Sequence, residues 1–116
     1  YNFEIRVVNM PWLNFIDDEF IEYNLINDKI NYIVEDHMEF GGLFDHINAK
    51  LSQCKNNVKI NCLGLNQLPK CGNPVEVLEY HELNYINIAK QIAKDCDMEI
   101  KADVNVEIVD YSEAPQ

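Results

Sequence analysis

A chain of 116 residues, 47% of them hydrophobic, has enough apolar material for one domain with a single core, which excludes a disordered segment. Nine basic residues face twenty acidic ones, for a formal charge of −11. That balance argues against nucleic acid and against an anionic membrane surface, because both attract clustered Lys and Arg.

No apolar run approaches the roughly 18 residues of a membrane span, and Tyr1-Asn2-Phe3-Glu4 lacks the charged and apolar regions of a secretory leader. A cytoplasmic protein is expected. The first residue is not methionine, so the chain reads as a piece of something longer. Cysteines stand at 54, 62, 71 and 96 with irregular intervals and no Cys-x-x-Cys pair. A structural zinc site needs close pairs, so reduced, partly buried thiols are expected instead.

In chain order, residues 4–9 are β-branched and read as a strand stopped by Met10-Pro11. Asp17-Asp18-Glu19 place negative charge at a helix start, and Asn27-Asp28 end that helix. Residues 30–35 read as a second strand. A helix from Gly42 to about Cys54 follows, because Leu43, Ile47, Leu51 and Cys54 recur on one face with Phe44 beside them. Residues 58–63 alternate as a third strand. Asn73-Pro74 is a helix start, with Asn as N-cap and Pro at the first helical position, for a short helix from Val75 to about Tyr80. Asn84 caps another, in which Ile86, Ala89, Ile92, Ala93 and Cys96 keep helical spacing. Residues 104–109 alternate and read as a last strand in a tail, 98–116.

Strands alternating with helices imply an α/β domain over residues 1–116. Its expected architecture is a three-layer α/β/α stack around a mostly parallel sheet, with ligands gathering at the strands' carboxyl ends. Glu35-Asp36-His37 and Gly41-Gly42 fall at such an end. A phosphate cradle is disfavoured there: Glu35, Asp36 and Glu39 repel phosphate, and one of them can itself satisfy the free helix amides. A metal site is disfavoured because adjacent residues on an extended chain point to opposite sides. No nucleophile motif flanks a serine or cysteine, so no catalytic residue and no metal ligand is assigned. His46 and His81 read as surface residues. The reading preferred from the residues is a docking turn. Its interface residues would be Glu35, Asp36, His37, Phe40, Gly41 and Gly42, with Met38 and Phe40 as apolar groups beside glycine.

Several stretches, taken in order, resemble the C-terminal domain of transketolase-like enzymes. They are Arg6-Val7-Val8-Asn9-Met10-Pro11; Ile16-Asp17-Asp18-Glu19-Phe20-Ile21; Val34-Glu35-Asp36-His37 with Gly41-Gly42-Leu43; Cys71-Gly72-Asn73-Pro74-Val75-Glu76-Val77-Leu78; and Leu83-Asn84-Tyr85-Ile86-Asn87-Ile88. The resemblance spans residues 5 to about 95. Asn14-Phe15 and Cys71 depart from the family pattern, and the strand and helix that usually come first are missing. That superfamily includes transketolase, deoxyxylulose phosphate synthase and the beta subunit of 2-oxoacid dehydrogenases.

The resemblance implies a packing and dimer-supporting module, partial at its N-terminus. The parent enzyme would use thiamine diphosphate and Mg, held by other domains that carry a Gly-Asp-Gly motif and an activating glutamate. This domain would hold no cofactor and would be inactive alone. Its partners would be other domains or subunits of a homo-oligomeric parent. Transfer of two-carbon ketol units between sugar phosphates is the preferred parent activity. A deoxyxylulose phosphate synthase or 2-oxoacid dehydrogenase parent, a free-standing acidic α/β interaction module and a small-molecule regulatory fold stay as alternatives.

Overall fold

The structure is a computed structural model that describes residues 4–54 and 57–100. Six elements follow one another: α1 (Asp18–Asn24), β1 (Asn31–Met38), α2 (Leu43–Gln53), β2 (Ile60–Leu65), α3 (Pro74–Tyr80) and α4 (Tyr85–Asp95). The strand read over 104–109 lies outside the described residues.

Helix α1 begins where Asp17 accepts the Phe20 amide at 2.8 Å, with Asp18 and Glu19 in the positive first turn. It ends earlier than the Asn27-Asp28 expected from sequence, because Leu25 already has extended dihedrals. The turn that follows is closed by the Asn31 side chain. Its carboxamide donates to the Ile26 and Lys29 carbonyls and accepts the Ile26 amide, while Asp28 adopts φ 63°.

β1 and β2 pair in parallel, Asn31 opposite Ile60 through Val34 opposite Leu63. On one face Ile33 joins Ile21, Leu25, Ile47 and Leu51 in the core, and Leu43, Phe44 and Ile60 pack around them. Ile21 and Ile47 are fully buried, each stabilising the fold by about 1.5–3 kcal/mol in transfer terms. On the other face Tyr32 donates its hydroxyl to Asp95 of α4. Helices thus flank both faces, and the expected α/β/α layering is present in partial form around two parallel strands.

Residues 4–9 are not a strand. A strand is held by a neighbour's ladder, and these residues make no backbone pairing among the described residues. Among the described residues they are tied through Arg6, which donates to the Tyr23 carbonyl at 3.0 Å and lies over the Tyr23 ring. Apolar side chains along the stretch stay open to solvent, Val7 at 86%. Pattern alone predicted a strand there, but the described sheet offers no strand beside it.

Candidate functional site

The corner between β1 and α2 is built around a break in register. Val34 pairs with Leu63, yet the next pair is Met38 with Leu65. Glu35, Asp36 and His37 therefore stand opposite Gly64 alone, a bulge that turns the strand end. A Cβ on Gly64 would approach the His37 carbonyl to 3.0 Å, so the close passage of the bulge favours glycine there. The strand resumes with Glu39 donating to the Leu65 carbonyl at 3.0 Å.

Glu35 shares the Ile33 side of the sheet, which aims it at the start of α2. Its carboxylate accepts the Leu43 amide at 2.7 Å and the Phe44 amide at 3.1 Å. Gly42 is the N-cap and has no side chain to offer, so the cap comes from the preceding strand. Charge adds to it, since a carboxylate at a helix N-terminus meets the positive end of the macrodipole. A Cβ on Gly42 would lie 2.3 Å from Glu35 Oε2 and 2.8 Å from His37 Nδ1. A side chain at 42 would therefore push aside the Glu35 carboxylate and the His37 ring folded over it. Gly41 has φ 77°, and Asp45 accepts its amide at 2.5 Å.

The six expected interface residues separate into two groups. Glu35, His37, Gly41 and Gly42 are joined in one corner. His37 is exposed, with Nδ1 2.8 Å from the Met38 carbonyl. Asp36 is exposed, and its side chain makes no hydrogen bond or ion pair among the described residues. Phe40 is 69% exposed.

Two contributors to the corner went unread in the sequence. Asp45 had a visible cue, an acid three residues past the N-cap that reaches back to a free amide. Cys62, on β2, has its thiol 3.8 Å from Glu35 Oε1. Partial burial, with the carboxylates of Glu35 and Glu39 beside it, pushes that thiol up to about 11. His81, between α3 and α4 and apart from the corner, corrects the surface reading. It is 8% exposed, accepts the Lys70 amide on Nε2 at 3.2 Å and packs edge-on against Tyr80, while its Nδ1 has no partner among the described residues. Burial of a residue between two helices depends on how the loop folds back, which local pattern does not record. His46 is exposed, as expected. Among the cysteines, Cys54 and Cys62 are half-buried, whereas Cys71 and Cys96 are exposed instead of partly buried.

This corner does not fit a diphosphate. The amides at the α2 N-terminus that would cradle an anion already donate to Glu35, and Asp36, Glu39 and Asp45 add like charge around them. Among the described residues no group of three or more His, Cys, Asp or Glu is arranged to hold a metal ion, and no helix is long and apolar enough to cross a membrane.

Against known proteins, the family model described as "Transketolase, C-terminal domain" matches residues 1–88. No curated protein and no solved structure matches the chain.

Proposed function

The chain belongs to the family of transketolase C-terminal domains, and on that premise we propose that it is the packing and dimer-supporting module of a transketolase-like enzyme. The parent transfers two-carbon ketol units between sugar phosphates. Thiamine diphosphate and magnesium are held by its other domains, and the chain acts in the cytoplasm.

One observation carries this reading. The helix start that could receive a phosphate is closed from within by Glu35, while Phe40, five residues on, is left 69% exposed. A corner made for chemistry would keep its amides free and its apolar groups covered. This one uses its polar groups to fix its own shape and turns an aromatic ring outward, as a docking surface does. The chain's share of the work is to hold β1 and α2 at a set angle and present Phe40 to the larger domains.

The test is assembly. The chain is co-expressed with the Gly-Asp-Gly-carrying, thiamine diphosphate-binding region of a transketolase-like enzyme, and the pair is purified. The wild-type chain is expected to co-purify, and Phe40→Ser to lower its affinity for that polypeptide at least tenfold while the chain alone keeps its denaturation midpoint. Equal retention of Phe40→Ser would overturn the docking role of the corner.

A further inference from the structure

We propose that α3 is a second docking element, separate from the corner, and that it receives an apolar protein surface rimmed with Lys and Arg. The argument begins with the helix's own stability. Seven residues are too few for a helix to hold in water by propensity, so such helices normally rest on a buried face. No residue of α3 is buried. Val75 is 68% exposed and Leu78 is 36% exposed, and they stand three apart on one face.

The helix is nevertheless fixed at both ends. Asn73 accepts the Val75 amide at 3.0 Å with Pro74 at the first position, and the buried His81 ties the other end to the Lys70 amide. An apolar face held in place but left open is preorganised for contact with something outside the described residues.

Charge decides among occupants. Glu79 lies four residues from Val75 and so borders the apolar face, Glu76 adds a second acid on the helix, and Glu82 follows in the turn just beyond it. The helix has no basic residue, and the nearby Lys70 is turned over the Tyr80 ring at 5.3 Å. A second copy would set these acids against each other in a chain of charge −11, and an anionic membrane meets the same repulsion. A partner with basic groups around an apolar centre matches both features.

The probe is a synthetic amphipathic leucine/lysine peptide titrated into the full 116-residue chain. Amide chemical shifts provide the readout. Shifts are expected to concentrate at Val75, Leu78 and Glu79, and Leu78→Ser to weaken binding at least tenfold. A leucine/glutamate peptide is expected to cause none. Leu78→Ser is expected to keep its spectral dispersion because the side chain it replaces is exposed; Glu79→Lys is the second variant, weakening binding without touching the apolar face. Shifts spread over the acidic surface, no binding, equal binding by both variants, or a dimer of the chain that protects α3 would each overturn the proposal.

Discussion

Glu35 is the residue on which the corner turns. Its two amide contacts tie a strand side chain to a helix eight residues later, and hydrogen bonds to an ionised group exceed neutral ones. Glu35→Ala is expected to lower stability by about 2 kcal/mol, read from the urea midpoint. Gly42→Val is expected to cost a similar amount, about 2 kcal/mol, because the new Cβ displaces the same carboxylate. The double variant then falls well short of the sum, and additive losses would show that Gly42 acts through something else.

Cys62 adds a pH dependence. Its thiol is ordinarily at 9.0 and is pushed up to about 11 in the fold. As pH rises between those values the unfolded chain loses the proton while the folded chain keeps it, so the contribution is full below 9 and is lost toward 11. Stability of the wild type relative to Cys62→Ala is therefore expected to fall across that window. A flat difference would contradict the placement of the thiol beside Glu35. The sequence showed that one of three acids could fill the helix start. It did not show which, because the bulge that selects Glu35 depends on β2 and Gly64, almost thirty residues away.

At the scale of elements, local rules held where one residue decides. Asn73-Pro74, Asn84 and Asp17 each cap the helix they were read to begin, since an N-cap needs only its own amides two or three residues on. They failed at residues 4–9, whose β-branched pattern states a preference that only a neighbouring ladder can realise. They failed again at His81, whose burial is set by the path of the loop carrying Lys70. Because α3 buries nothing, removing its cap is expected to open that helix locally and leave the body intact. Asn73→Ala is expected to cost about 1 kcal/mol there, seen as roughly fivefold faster amide exchange at Val77 and His81, with an unchanged global midpoint. Unchanged exchange at both amides would argue against the cap.

Across the whole molecule, two parallel strands and the helices packed on them place one corner and one open helix at the surface. The core is small. It centres on Ile21 and Ile47 and lies on the α1/α2 side of the sheet, while α4 is tied to the other side through Tyr32 and Asp95. Burial and the hydrogen bond to Asp95 hold the Tyr32 hydroxyl well above its ordinary range. Exposed apolar groups from Val7 to Phe15, and again at Phe40 and Val75, give the chain more outward contact surface than its core requires. Family membership and this surface both support the assembly role proposed above.

The central claim is that the acid-histidine-diglycine corner is closed from within and binds no diphosphate. Calorimetric titration of the full chain with thiamine diphosphate and magnesium tests it most directly. The closed corner predicts heats no larger than those of dilution. Saturable uptake near one molecule per chain that disappears in Gly42→Val would place the cofactor at α2 and contradict the account.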